Sequence, residues 1–169
     1  MDHEIISIDE VGFQLLTNYK RIWFEIGKKP KWAFFWSNKK LTVFGAQREN
    51  NKLFYEFHTS QNSFTFICFL NGLFETLDKN RSYVLILDNA GWHKTQVVKN
   101  YISKQGNVKV EFIPPYSPEL NPIETNWKVT RNAVTKSRYF KTIDDMQEAL
   151  EEFWSKHIFK QKFISYLCR

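Results

Sequence analysis

Cysteine is scarce in this 169-residue chain, with only Cys68 and Cys168, a hundred positions apart. That spacing fits neither a zinc site nor a disulfide framework, so a reducing interior is the expected home. Long apolar runs are missing too. Nothing approaches the roughly 18 consecutive apolar residues that a membrane-spanning helix needs. The first ten residues, "MDHEIISIDE", are acidic and lack the basic start and apolar centre of a secretory signal. Repeats, low-complexity tracts and an internal linker are also lacking, and the length fits one domain of about 100–200 residues.

What is present is charge, unevenly spread. Lys and Arg number 24 against 18 Asp and Glu, giving a formal net charge of +6. From Asn126 to Lys141 the basic residues Lys128, Arg131, Lys136, Arg138 and Lys141 occur without an acid. A second basic run, Lys20 to Lys40, contains only Glu25 against it, while "DDMQEALEE" gathers acids at 144–152. Two solvated faces would account for this. So would a polyanionic partner, with Lys128, Arg131, Lys136 and Arg138 as candidate DNA contacts.

Short apolar runs bounded by turn residues predict strands at Ile5–Ile8, Leu41–Ala46, Leu53–Phe57, Tyr83–Leu87 and Val108–Ile113. Asn50-Asn51 suits a hairpin between the second and third. Helical spacing of Phe66, Phe69, Leu70, Leu73 and Leu77 predicts a helix before the fourth strand, and "KTQVVKNYISKQG" a short one closed by Gly106. Two further helices are expected, one from Pro122 and one over Ile143–Ile158. The pattern is α/β: a five-stranded mixed sheet in order 3-2-1-4-5 with helices on both faces.

In that order strands one and four are parallel neighbours. "IISID" would end the first at Asp9 and "VLILD" the fourth at Asp88, two carboxylates side by side that repel unless a cation lies between them. Either acid alone could be a turn or cap residue, and Asn89 or Thr95 could cap locally. Glu124 follows in "NPIETNW", where Asn121 suits an N-cap, Pro122 the first helical position and Glu124 a capping-box role. A first-turn residue on a proline-started helix is also a well-placed ligand. Three hard oxygen donors, Asp9, Asp88 and Glu124, suit Mg²⁺ or Mn²⁺. Two such ions can drive cleavage of a phosphodiester.

"IDEVGF", "LDNAGWHK" and "PPYSPELNPIETNW" resemble the signature blocks of DDE transposases of the mariner superfamily, in its bacterial insertion-sequence branch. "RIWFEIGKKP" is similar to that branch's W-x-x-x-G-x-x-P segment at Trp23, Gly27 and Pro30; "VFGA" and "RYFKTIDDMQEAL" also resemble it. Residues 89–123, 35 in all, separate Asp88 from Glu124, in line with the family's spacing. The resemblance implies a ribonuclease-H-like fold and a catalytic, metal-binding triad of Asp9, Asp88 and Glu124. It also implies cleavage and joining of transposon DNA with Mg²⁺ or Mn²⁺, two ions in number. His93 falls in its DNA-x-x-H pattern, where it either contacts substrate or pins the loop. Asn89 and Asn121 are candidate supports. Alternation points Glu10 to the other side of the sheet, and Trp92 and Trp127 read as core or rim.

The family's full-length members carry a helix-turn-helix before the catalytic core, which residues 1–169 are expected to lack. Double-stranded DNA, a second copy assembled on that DNA and an upstream-encoded DNA-reading half are the partners this implies, in a bacterial, nucleoid-associated cytoplasmic setting. A general ribonuclease-H-like nuclease and a non-cutting remnant or regulator of a transposase remain the competing readings.

Overall fold

Apolar side chains of the first strand change sides partway along it. Ile6 and Ile8 are buried on one face, and Val11 and Phe13 on the other. Since side chains alternate along a strand, a strand with both patterns must be covered on both faces. The computed structural model, which describes residues 3–15, 25–27, 37–136 and 138–160, shows that arrangement. Trp23, Pro30, Cys168 and most of the basic run from Lys20 lie outside the described residues.

Strands β1 (His3–Gln14), β2 (Lys40–Arg48), β3 (Leu53–His58), β4 (Ser82–Leu87) and β5 (Val108–Phe112) form one sheet, in order β3-β2-β1-β4-β5. The β1–β2 and β2–β3 pairs are antiparallel, and the β1–β4 and β4–β5 pairs are parallel. This is the mixed sheet of a ribonuclease-H-like α/β fold, as expected. The β2–β3 hairpin turns at Asn51, whose φ of 63° lies in the left-handed region that asparagine tolerates.

Helices α1 (Ser63–Glu75) and α2 (Gln96–Ser103) cover one face, burying Phe66, Phe69, Leu70, Val98 and Ile102 against Ile6, Ile8 and Phe44. Asn62 starts α1 by accepting hydrogen bonds from the Phe64 and Thr65 amides, while its own amide donates to the Thr65 hydroxyl. The other face is covered by α3 (Ile123–Thr130), a wide π-turn at Arg131–Thr135 and α4 (Ile143–Lys156). Trp127, Met146, Leu150 and Trp154 pack there on Val11, Phe13 and Val43.

One expectation about the sheet is corrected. Asp9 does not end β1: the strand runs five residues further, paired with β2 as far as Gln14↔Lys40. The apolar alternation simply moves to the other face at Val11, so a search for one apolar run stops early. What ends near Asp9 is the pairing with β4, whose last register pair is Ser7↔Ile86. Continuing that register two residues sets Asp9 level with Asp88.

Candidate functional site: three acids around one cleft

Asp9, Asp88 and Glu124 line a single cleft of about 390 Å³, together with Asn89, Asn121 and the loop from Ile113 to Ser117. Each acid arrives on a different element. Asp9 comes from within β1, Asp88 follows β4, and Glu124 lies in the first turn of α3.

Glu124 is free for the cleft because the expected cap does not form. The residue before the helix is Pro122, with no side-chain cap hydrogen bond. Asn121 turns inward instead, accepting from the Ser7 hydroxyl and donating to the Ile8 carbonyl at 3.4 Å. A buried amide must find partners, and the sheet offered Asn121 more of them than the helix end did. Asn121 thereby ties the start of α3 to β1. Two further buried bonds hold the same helix: Asn126 to Gln47 at 2.6 Å, and the Trp127 indole to Asp9 Oδ2 at 2.9 Å.

Trp127 therefore does more than fill the core. It is buried, lies three residues after Glu124, and fixes the carboxylate of Asp9. Its ring fits because Gly45 stands opposite Asp9 in β2; a Cβ at Gly45 would lie 2.4 Å from Trp127 Cη2. The glycine of "VFGA" is thus a clearance for this indole, which sequence alone could not reveal. Trp92 is partly buried and packs on the α1/α2 cluster, within the expected core or rim.

Glu10 points to the opposite face, as alternation implied, yet it still joins the site. His93 sits on a short 3₁₀ turn, Gly91–Lys94, fully buried between two carboxylates. Its Nε2 is 2.8 Å from Glu10 Oε1 and its Nδ1 is 2.8 Å from Asp88 Oδ1. His93 is thus hydrogen-bonded and pins the loop, the second of its two readings. Asp88 Oδ1 also accepts from the Ala90 amide at 2.9 Å, so the bland turn role is present alongside. Asn89 caps no helix: it donates to the Ile113 carbonyl and accepts from Lys94, tying the loop after β5 to the acid after β4.

The electrostatics are asymmetric. Burial, then the like charges of Glu124, Glu10 and Asp88, holds the Asp9 carboxyl well above its ordinary 3.8. The His93 hydrogen bond, opposed by partial burial and aided by the Ala90 amide, pulls Asp88 below that value. Burial alone would push His93 down, but Asp88 and Glu10 outweigh it and raise it to about 9. His93 is therefore an imidazolium at neutral pH.

A hard divalent ion matches the chemistry of the oxygen set. Asp9 Oδ2 and Asp88 Oδ1 hold protein donors, and both carboxylates line the cleft alongside Glu124. Among the described residues, however, no three His, Cys, Asp or Glu side chains stand close enough together to grip an ion as they are. The candidate DNA contacts Lys128, Arg131, Lys136 and Arg138 are all exposed, along α3, the π-turn and the segment after it. Arg131 and Lys40 share a second, smaller cleft with Phe13 and Gln14.

No described helix is long and apolar enough to cross a membrane. A sheet of this order carrying three acids at one cleft defines a class, and a family profile described as DDE superfamily endonuclease matches residues 4–147. The chain belongs to that family. Over 153 residues it is 23% identical to an insertion element IS630 39 kDa protein of Shigella sonnei, covering 90% of this chain and 45% of that one. An 81-residue match, 40% identical, is to protein y4pE/y4sA of Sinorhizobium fredii (strain NBRC 101917 / NGR234), covering 48% of this chain and 57% of that protein. The chain thus spans about half the length of the curated relatives it matches. Among solved structures it resembles the Mos1 mariner paired end complex with Mn, at TM-score 0.78, 17% identity and 96% coverage of this chain against 51% of that one. The Mos1 transposase catalytic domain with Raltegravir and Mg gives 0.70 and 18%, covering 98% and 77%. At these identities the likeness is one of fold: the chain shares the fold of the Mos1 catalytic domain.

Proposed function

We propose that the chain is the catalytic domain of a transposase from the bacterial insertion-sequence branch of the mariner superfamily, and that it cleaves and transfers DNA strands at transposon ends. The observation that carries this is the convergence of Asp9, Asp88 and Glu124 on one cleft from three separately anchored elements. On this reading the three carboxylates hold Mg²⁺ or Mn²⁺, in two ions. When bound, these supply activation of a water or 3′-hydroxyl and charge stabilisation at the phosphodiester.

The chain's own residues prepare the site. Trp127 orients Asp9, His93 orients Asp88, and Asn121 sets the helix start that presents Glu124. Such prepositioning supports catalysis because a displaced ligand costs rate steeply. The exposed cations Lys128, Arg131, Lys136 and Arg138 hold the DNA backbone through phosphate contacts, which fix position without reading sequence. End recognition falls to a separate DNA-reading half, and two copies assemble on the DNA.

The test combines two assays on the purified chain with Mg²⁺ or Mn²⁺: nicking of supercoiled plasmid, and joining of a 3′-hydroxyl donor duplex into plasmid. Joined product supports a transposase. Nicking without joining indicates a general nuclease, and neither activity under any metal condition overturns the reading.

A further inference from the structure

Of the three acids whose charge acts on Asp9, Glu10 alone does not line the cleft. It follows Asp9 in β1 and so points to the sheet's other face, where its side chain is only 4% exposed. Its Oε1 meets His93 Nε2, and the other nitrogen of the same ring meets Asp88 Oδ1, each at 2.8 Å. Packing holds the ring between them as well: it is fully buried, with the Phe66 ring 4.4 Å away between centroids. A chain of two bonds thus runs from a buried carboxylate behind the sheet to an acid in the cleft.

The consequence falls on Asp88. Its Oδ1 accepts from His93 Nδ1 and also from the Ala90 amide at 2.9 Å. A carboxylate oxygen has two lone pairs, and here both are used. With the relay in place, a cation at Asp88 binds through Oδ2 alone. Ions differ in how they take this restriction. Ca²⁺ gathers about 6–8 oxygens and readily uses both oxygens of one carboxylate. Mg²⁺ is octahedral, keeps several waters and needs only one or two carboxylates, and Mn²⁺ shares its taste for octahedral oxygen sites.

We infer that Glu10 is a positioning residue: through His93 it confines Asp88 to one-oxygen ligation, and so sets the site's preference for Mg²⁺ or Mn²⁺ over Ca²⁺. The inference rests on the metal-dependent function proposed above and names what selects its ion. Because Asp9 and Glu10 are consecutive, one stretch of β1 supplies one ligand directly and steadies another from behind. Outer partners of this kind are worth roughly ten- to a hundredfold in metal affinity.

The experiment titrates the full chain with Mn²⁺ and, separately, with Ca²⁺ in a calorimeter, so that no turnover is needed. Wild type should bind Mn²⁺ more tightly than Ca²⁺. Glu10→Met fills similar space but accepts nothing from His93. It should weaken Mn²⁺ binding roughly ten- to a hundredfold without weakening Ca²⁺ binding, because the loosened carboxylate can close on the larger ion with both oxygens. Glu10→Gln, which can still meet Nε2, should keep the wild-type preference. The double variant Glu10→Met, His93→Leu strands neither buried partner, should lose the preference too, and carries the test if Glu10→Met does not fold. A merely structural role would weaken both ions alike. Equal weakening, or an unchanged Mn²⁺ to Ca²⁺ ratio in the variants lacking the Glu10 acceptor, overturns the relay. If wild type nicks plasmid in Mn²⁺ yet shows no preference for it over Ca²⁺, the relay fails and the endonuclease reading stands. If it neither binds Mn²⁺ nor nicks, both fail.

Discussion

β1 buries one acid near its start and another at its middle, and it treats the two in opposite ways. Glu4, 5% exposed, meets Arg48 at 2.7 Å and Arg81 at 3.4 Å, so its charge is answered within the fold. Asp9, 8% exposed, has Glu124, Glu10 and Asp88 as the charges acting on it, all of its own sign. A buried charge is costly unless paired. The paired acid is scaffold, and the unpaired one marks where a cation from outside would be welcome. The same contrast separates Asp9 from Asp88, its neighbour across the sheet, because His93 relieves only Asp88.

The strongest way to break this comparison is activity. If nicking is found, Asp9→Ala, Asp88→Ala and Glu124→Ala should each bring it to background, a loss on the order of a thousandfold or more, and the losses should not add. Glu4→Gln should nick at the wild-type rate per folded molecule. A Glu4 variant as dead as the Asp9 variant would erase the distinction.

Stability sharpens it next. His93→Ala leaves Glu10, whose side chain is 4% exposed, without its cation, and should cost about 3–5 kcal/mol in denaturant melts. Gly45→Ala drives a methyl into the Trp127 ring and should cost about 1–3 kcal/mol. It should also lower nicking, since the indole that yields is the one holding Asp9. Unchanged nicking would sever Trp127 from the site.

A smaller effect separates the neighbours by sign. In chelator near pH 7, Asp9→Asn should raise the stability to unfolding by on the order of 1 kcal/mol, because it removes an uncompensated charge. Asp88→Asn should lower it by about 1 kcal/mol, its half-exposed ion pair discounted for solvent screening. Shifts of the same sign would show that the two carboxylates share one environment.

Stability should also depend on pH. His93 has a folded value of about 9 against an ordinary 6.5, so its stabilisation is complete below 6.5 and lost as pH rises through 9. Asp9, raised when folded, also favours the folded chain at lower pH. The pull on Asp88 is opposite, its contribution fading only as pH falls below the ordinary carboxylate value. Metal-free wild type should therefore lose stability between pH 6.5 and 9, and His93→Asn should show a shallower decline over that window. Parallel melting curves for the two proteins would remove the imidazolium from the account.

Most of the fold was legible because periodicity reports burial. Both sheet neighbours of β1, the hairpin at Asn51 and the opposite facing of Glu10 follow from alternation and turn chemistry. The three acids of the cleft were legible as positions, Asp9 and Asp88 because each follows an apolar run, and Glu124 because it falls in the first turn of a proline-started helix. What sequence could not supply were relations across the fold. Nothing local says that Asn121 will prefer Ser7 to its own helix, or that Gly45 clears space for Trp127. Nor does local pattern distinguish Asp9 from Asp88, whose difference is made by His93 and burial.

The sheet register beneath the acids governs which genetic accidents this site can survive. Asp9 and Asp88 are level because Ser7 pairs with Ile86, so their separation is fixed by the spacing of adjacent backbones. A single codon lost from β1 or β4 ahead of the acid would turn that carboxylate to the wrong face. Glu124, by contrast, is reached through an exposed loop and is brought home by Asn121 and Trp127 from the helix itself. Lineages descended from this chain can accordingly lengthen or shorten the stretch before α3 while retaining the cleft, whereas the reading frame through the two central strands admits no drift in length.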